Sequence, residues 1–274
     1  MAIPPITDTT ELLDTDQILA AMSVPGRALL SELSLHSQID STNAEAMRRV
    51  EAGAGSGLVC TAEQQTAGRG RRGRQWISPY GSNLYLSLVW DFSAGAVALE
   101  GLSLAVGVAV TDALERMGIA GLSLKWPNDI LCRDAKLGGV LIELAGDPGG
   151  VCSAIVGVGI NLRMPAGEAA AIDQNWTDLT AVAGSAPPRN VLLAALLDEL
   201  LTLLANFQAL GFEPWRERWL QRDHYAGREL IIHSGDTQLA GTNAGISDNG
   251  SLLLKVGGLV QEVRGGEVSL RPQL

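Results

Sequence analysis

The chain has 274 residues, 46% hydrophobic and 18% charged, so it is a globular protein of one or two domains rather than a disordered one. Its formal net charge of −10 disfavours general binding to nucleic acid. Acidic residues follow the first five positions and no apolar run is long enough to span a bilayer, so we expect a cytoplasmic protein without a signal peptide or membrane segment.

Apolar periodicity and turn residues predict the elements of the first 220 residues. In chain order they are a helical arm over 1–32, a strand over 33–39, a helix over 43–52, strands over 58–64 and 84–90, a helix through 106–117, strands over 122–126, 140–144 and 154–160, a long helix over 193–207 and a short helix over 215–220. Thr42 is the expected N-cap of the first long helix, because Glu45 follows three residues later as in a capping box.

The pattern changes after the boundary expected near 223–226. Short β runs at 229–232, 238–246, 251–256, 259–264 and 267–270 alternate with turn residues, and Asp248-Asn249-Gly250 is typical of a hairpin. The predicted fold class is therefore α+β, in which a mixed β-sheet domain packed with helices is followed by a small all-β barrel. The domain limits are 1–32 for the arm, 33–223 for the mixed-sheet domain and 224–274 for the barrel.

A loop rich in arginine and glycine is the most informative segment. Four arginines and no acid lie between Arg69 and Arg74. The GxGxxG spacing from Gly68 to Gly73 does not indicate a dinucleotide-binding fold, because no helix opens after it. Arginine side chains bind anions through planar, bidentate contacts, so we expect a mobile loop that becomes ordered around a phosphate. The loop alone is equally compatible with a solvated basic loop or a nucleic-acid patch. Gln65 before it and Trp76 after it favour a ligand with a polar head, a phosphate and a base.

Two further segments carry polar residues between glycines. Lys125-Trp126-Pro127-Asn128-Asp129 predicts a tight turn between strands, and Lys136 follows seven residues after Asp129, just before two glycines. Glycines 157 and 159 interrupt an apolar strand that ends at Asn161, which indicates the close approach of another group. Taken singly, the first segment is better explained by an ordinary turn with a solvated lysine, and a strand bulge explains the second equally well.

In this order, the segments 41–43, 63–71, 125–129, 136–139, 157–161 and 266–271 resemble the biotin protein ligase family over about residues 36–271. The resemblance implies a biotin/lipoate-ligase-like catalytic domain and an SH3-like barrel. It also implies ATP-dependent ligation of biotin, by way of biotinyl-5′-AMP and with Mg²⁺, to a lysine of a biotin carboxyl carrier domain.

The resemblance further implies roles for individual residues. Biotin contacts fall to Ser41, Thr42, Asn43, Gln65, Gly68, Arg69, Gly70, Arg71, Lys136, Gly139 and Gly157. Nucleotide contacts fall to Trp76, Lys125, Asn128, Asn161 and Arg271. The catalytic residues are Lys136 and Arg71, which offset the repulsion between two anions, and Asp129, which orients or deprotonates the incoming lysine.

Besides a non-catalytic ligand-binding module, which would not explain why Lys136 and the arginine loop occur together, two alternatives remain at this point. One is a lipoyl or octanoyl protein ligase on a related catalytic domain, which the arginine loop and the barrel disfavour. The other is a biotin-responsive transcriptional repressor. Only about 35 residues precede the catalytic domain, fewer than the roughly 50 of a small domain, so DNA binding through an N-terminal domain is not expected. Scattered histidines and three unpaired cysteines predict no metal ligated by the protein and no disulfide. A homodimer is left open.

Overall fold

The computed structural model describes residues 11–147, 149–234, 237–264 and 268–272. The helices are α1 (Thr15–Ala21), α2 (Val24–Leu29), α3 (Thr42–Glu51), α4 (Leu102–Arg116), α5 (Ala166–Ala169), α6 (Leu179–Ala183), α7 (Arg189–Leu210) and α8 (Glu213–Leu220). The strands are β1 (Glu32–Ile39), β2 (Leu58–Gln65), β3 (Leu84–Phe92), β4 (Leu122–Lys125), β5 (Asp129–Cys132), β6 (Ala135–Gly146), β7 (Cys152–Ile160), β8 (Glu229–Ser234), β9 (Thr237–Ile246), β10 (Leu252–Val256), β11 (Leu259–Val263) and β12 (Val268–Pro272). Short 3₁₀ turns occupy Arg71–Gly73 and Ala96–Leu99.

The strands form two separate sheets. Seven strands form a sheet in the order β1-β2-β3-β7-β6-β5-β4, and five form a second sheet in the order β11-β10-β9-β8-β12. The first sheet is mixed, because β1 and β2 run parallel while the other neighbouring strands run antiparallel. The second sheet is antiparallel throughout. The α+β fold class with a small all-β barrel at the C-terminal end is confirmed.

Helices α4 and α7 form the centre of the core. Their apolar side chains pack on the first sheet and on each other, and Phe207 meets Phe92 edge-on with ring centroids 6.5 Å apart. Burial of each leucine of this kind stabilises the fold by about 1.5–3 kcal/mol. By length and composition alone, the stretches Ala96–Arg116 and Arg189–Leu210 could cross a membrane, but most of each is buried in the fold. The core therefore accounts for their apolar character, and the expected absence of a membrane segment stays a prediction.

A buried ion pair holds β2 in place. Arg189 at the start of α7 donates to Glu63 Oε2 at 2.7 Å, and the Glu63 and Arg189 side chains are only 3% and 7% exposed. The other oxygen of Glu63 accepts from the backbone N–H of Leu13 at 2.5 Å. A buried carboxylate must be paired in this way, because an unpaired one would cost several kcal/mol. The pair anchors the end of β2, where Gln65 lies.

Three local predictions need correction. Thr42 is not the N-cap: the helix begins at Thr42, Ser41 is its N-cap, and Thr42 Oγ1 faces Gln65 instead. The strand expected over 140–144 is the middle of the longer β6, which therefore includes Lys136. The pattern also missed β5, a four-residue strand that depends on its pairing with β4 and β6. The first ten residues of the expected arm, and Glu267 of the last β run, lie outside the described residues.

Cys60, Cys132 and Cys152 are buried and unbridged, as the sequence predicted. Burial raises the pKa of the Cys60 thiol to about 12. A thiol of this kind stays protonated and unreactive, which supports a packing role.

The five-stranded sheet is attached beside the β4–β5 turn. The indole N–H of Trp126 donates to Gly250 O at 2.9 Å, and Leu124 N–H donates to Arg222 O at 2.7 Å. The turn residues Lys125 to Asp129 are thus held between the two sheets, which fixes the wall of the cavity described next.

Candidate active site

One cavity of about 370 Å³ lies on the mixed sheet, which is within the usual size of a small-molecule site. Its walls are the start of α3, the end of β2, the arginine loop, the β4–β5 turn, the facing parts of β6 and β7, and the segment 171–176. Every expected site residue lines it except Gly68 and Arg271. The side chain of Arg271 lies outside the described part of the chain, although its backbone belongs to β12.

The polar end of the cavity is formed by α3 and β2. Gln65 Oε1 accepts from the backbone N–H of Thr42 at 2.9 Å and from its hydroxyl at 3.2 Å. Gln65 Nε2 donates to Ser78 Oγ at 3.0 Å. Ser41 and Thr42 are nearly fully buried, at 3% and 4% exposure. Hydroxyl and amide groups without formal charge at this end suit a neutral, hydrogen-bonding ligand group.

Asn43 lies deeper, against β6 and β7. Its Nδ2 donates to Glu143 Oε2 at 2.8 Å, and its Oδ1 lies 2.5 Å from Ser87 Oγ. A Cβ at position 157 would come within 2.2 Å of Asn43 Oδ1, so glycine is required there to admit the amide. The sequence predicted direct biotin contacts for Asn43 and Gly157. They line the cavity, and the amide is already bonded within the protein.

The arginine loop closes on itself as a narrow hairpin over the cavity. Arg69 and Gln75 form an antiparallel bridge, and Trp76 N–H donates to Gly68 O at 2.9 Å. A Cβ on Gly68 would lie 2.4 Å from Trp76 O, so this glycine lets the two ends of the loop meet. Arg72 turns the tip with a φ of 61°. The loop contributes its cations to the cavity from above.

Two arginine side chains attach the loop to the sheet. Arg69 donates to Glu143 Oε2 at 2.9 Å, and Arg71 donates to Asn128 Oδ1 at 3.2 Å. Burial, followed by the charge of Arg72, lowers the pKa of Arg71. A guanidinium group remains protonated under these conditions, so Arg71 is a partly desolvated cation in the cavity wall.

A cluster of three charges lies beneath the loop. Lys136 Nζ is 2.7 Å from Asp129 Oδ1, and Lys125 Nζ is 3.6 Å from Asp129 Oδ2. Each of Lys136 and Asp129 is 15% exposed. Lys136 Nζ also lies 5.5 Å from the centre of the Trp76 ring. Together with Arg71, this cluster places more positive than negative charge at the middle of the cavity.

Trp76 lies flat over two glycines of neighbouring strands. Gly139 on β6 and Gly159 on β7 face each other across the sheet. A Cβ on Gly159 would come within 2.6 Å of the indole, and one on Gly139 within 3.6 Å. The buried indole N–H has no hydrogen-bond partner among the described residues. An aromatic plane with an unused donor is suited to a heterocyclic ligand.

Asn128 and Asn161 shape the wall next to these cations. Asn128 forms a reciprocal pair with Val140, through Nδ2 to Val140 O and through O to Val140 N–H, both at 2.9 Å. Asn161 Nδ2 donates to Thr177 O at 3.1 Å. The amide of Asn161 therefore holds the segment that carries Trp176.

The predicted turn at Lys125 to Asp129 is confirmed, because Lys125 at the end of β4 pairs with Asp129 at the start of β5.

Two residues that hold the cavity wall through Asn43 and one segment that lines the cavity were not predicted from the sequence. Glu143 and Ser87 were not singled out, because neither belongs to a recognisable motif. The segment 171–176 was also missed, although Trp176 bridges to Lys136 and lines the cavity. A tryptophan in a polar stretch was the available indication.

The arrangement can bring two anionic ligands together. The cavity lining combines uncharged polar groups, the cations and an indole. No group of three or more histidine, cysteine or acidic side chains that could hold a metal ion occurs in the part of the chain that the structure describes.

Comparison with known proteins agrees with this geometry. The model of the biotin/lipoate A/B protein ligase family matches residues 35–161. The bifunctional ligase/repressor BirA of Escherichia coli (strain K12) is 39% identical over 266 residues, covering 97% of this chain and 80% of BirA. A biotin–[acetyl-CoA-carboxylase] ligase of Paracoccus denitrificans is 38% identical, covering 79% and 91% of the two chains. The structure is similar to that of a biotin protein ligase from Aquifex aeolicus in complex with biotin and ATP, with a TM-score of 0.75, 30% identity and coverage of 89% and 100%.

Proposed function

The chain belongs to the biotin/lipoate A/B protein ligase family, and we propose that the cavity under the arginine loop is where it joins biotin to ATP. Its activity is the ATP-dependent ligation of biotin to a lysine of a biotin carrier protein through biotinyl-5′-AMP. The observation that supports the cavity as the site is that Lys136 and Arg71 line it together with uncharged polar groups and an indole.

The first step needs this charge. The biotin carboxylate attacks the α-phosphorus of ATP, an acyl–phosphate bond forms, and pyrophosphate leaves. Two anions must approach each other, and at about 4 Å with an effective dielectric of about 20 they repel by about 4 kcal/mol. Lys136 and Arg71 face the cavity centre and offset that repulsion. The ureido ring of biotin occupies the pocket of Thr42 and Gln65, and the adenine packs on Trp76.

The arginine loop protects the product. A mixed anhydride is hydrolysed by water, so the site must be closed while the adenylate waits for the carrier. The loop from Gly68 to Trp76 covers the cavity and contacts the sheet through Arg69 and Arg71. Closure over the bound adenylate excludes water.

In the second step the carrier lysine attacks the acyl carbon and AMP leaves. The free amine has a pKa of about 10.4 and must lose a proton before it attacks. Asp129 is the acid nearest to the cations and is our candidate to orient that amine. Its carboxylate already contacts Lys136 Nζ at 2.7 Å, so orientation is the greater part of the role.

Mg²⁺ would be bound together with the nucleotide. Proteins commonly hold Mg²⁺ through substrate phosphates and one or two carboxylates. The cavity lining offers Asp129 and Asp173 for that purpose, which fits an ion carried by ATP. When bound, the ion would neutralise phosphate charge.

We further propose that the protein is cytoplasmic. Its protein substrates there are carboxylases with biotin carrier domains, and DNA is not a ligand.

One assay tests the function. The protein is mixed with ATP, Mg²⁺, biotin and a carrier domain, and the carrier is probed with streptavidin. We expect labelling that disappears when the acceptor lysine of the carrier is replaced by arginine. Lipoate and octanoate are offered separately, with the carrier analysed by mass. Transfer of lipoate or octanoate in place of biotin would reject the function.

A further inference from the structure

We propose that Glu143 is a positioning residue that couples the biotin pocket to the arginine loop. Glu143 lies on β6, is 26% exposed, and is not part of any motif in the sequence. The inference rests on the proposed function of the cavity and adds a residue that acts through its neighbours rather than on substrate.

A single oxygen of Glu143 joins the two parts. Oε2 accepts from Asn43 Nδ2 at 2.8 Å and from an Arg69 guanidinium nitrogen at 2.9 Å. Both hydrogen bonds have an ionised acceptor, and the second also has an ionised donor, so they are stronger than neutral ones. A displacement of the carboxylate therefore moves the pocket amide and the base of the loop together.

The pocket side has little other support. Besides Glu143, Asn43 Nδ2 reaches only Leu141 O, at a long 3.4 Å, within the described residues. Asn43 Oδ1 is held near Ser87, in space that exists because residue 157 is glycine. Glu143 and Ser87 together fix which way the amide points, and with it the shape of the wall next to Thr42.

On the loop side, the ion pair between Arg69 and Glu143 connects the arginine loop to β6. An open cleft is lined by residues 66–75 on the loop side and by Leu141 and Glu143 of β6 on the other. The Arg69–Glu143 pair crosses this cleft at the residue where the hairpin closes, since Arg69 bridges to Gln75. A loop tethered at its base needs less ordering when biotin binds, which lowers the entropic cost of closure.

The test is Glu143→Gln, which keeps the shape and removes the charge. We expect the KM for biotin to rise about tenfold, with kcat and the KM for ATP within about twofold of wild type. Release of free biotinyl-AMP without carrier should rise by a similar factor, because the loop retains the adenylate less well. Glu143→Asp withdraws the carboxylate by one methylene and should give the same pattern. Glu32→Gln is the matched control: it breaks another Glu–Arg pair, to Arg49, outside the cavity.

A double-mutant cycle with Arg69→Gln decides the coupling. If Glu143 acts through Arg69, the double variant has the same biotin KM as the more impaired single variant. Additive effects, or an unchanged KM for biotin in both Glu143 variants, would overturn the proposal. A wild-type protein that labels no carrier would instead refute the function, so the two failures are distinguishable.

Discussion

A single methyl group placed under Trp76 should impair the binding of ATP selectively. Gly159 has a strand conformation that alanine adopts without strain, but a Cβ there would lie 2.6 Å from the indole. The ring must retreat by about 0.8 Å to reach ordinary contact at 3.4 Å. In the free enzyme the ring moves into the cavity at little cost. Adenine stacked on the opposite face would block that movement, so the cost appears when ATP binds.

The magnitude follows from the cost of overpacking. Inserting a methyl group into a packed contact costs about 1–3 kcal/mol. That range corresponds to an increase of about 5-fold to about 150-fold in the KM for ATP. The KM for biotin should change far less, because the three atoms nearest to the added methyl group all belong to Trp76 and none to Thr42 or Gln65.

The assay is steady-state carrier labelling with ATP varied at saturating biotin, then biotin varied at saturating ATP. Gly167→Ala is the control, because a Cβ there meets nothing within 4 Å. An unchanged KM for ATP in folded Gly159→Ala protein would show that no ligand stacks on Trp76. An equal rise in both KM values would show that the substitution distorts the whole cavity.

Four further outcomes are expected. Lys136→Met should slow ATP–pyrophosphate exchange about 10³-fold, since loss of about 4 kcal/mol of charge stabilisation has that effect, and a near-normal rate would contradict it. Asp129→Asn should slow biotin transfer more than adenylate formation; equal losses would exclude the proposed role. Proteases should cleave the 69–74 loop without ligand and spare it with biotin, so identical digests would disprove closure. Arg48 holds the pKa of Asp40 at about 2, below the ordinary 3.8. Wild type should therefore be more stable than Asp40→Asn above about pH 4 and lose that advantage towards pH 2; equal melting temperatures at pH 6 would refute this.

Local patterns predicted most of the sheet and helices. The alternation at 84–90, the long apolar stripe at 193–207 and the Asp248-Asn249-Gly250 turn depend on neighbouring residues alone, and each lies in the expected type of element. The errors came where tertiary contacts override local preference. Thr42 matches an N-cap, yet its hydroxyl is bound to Gln65 on another strand. The four residues of β5 are a strand only because β4 and β6 pair with them.

The sequence alone was sufficient to identify the site motifs, because their residue types and spacing indicate their chemistry. The arginine loop, the Lys125–Asp129 turn and the glycines before Asn161 each carry a chemistry that can be inferred from side chains and spacing. Only the tertiary structure decided that they share one cavity, and that Glu143 links the loop to the pocket. Glu143 is 100 residues from Asn43 and 74 from Arg69, so that contact depends on the pairing of distant strands and no local pattern encodes it.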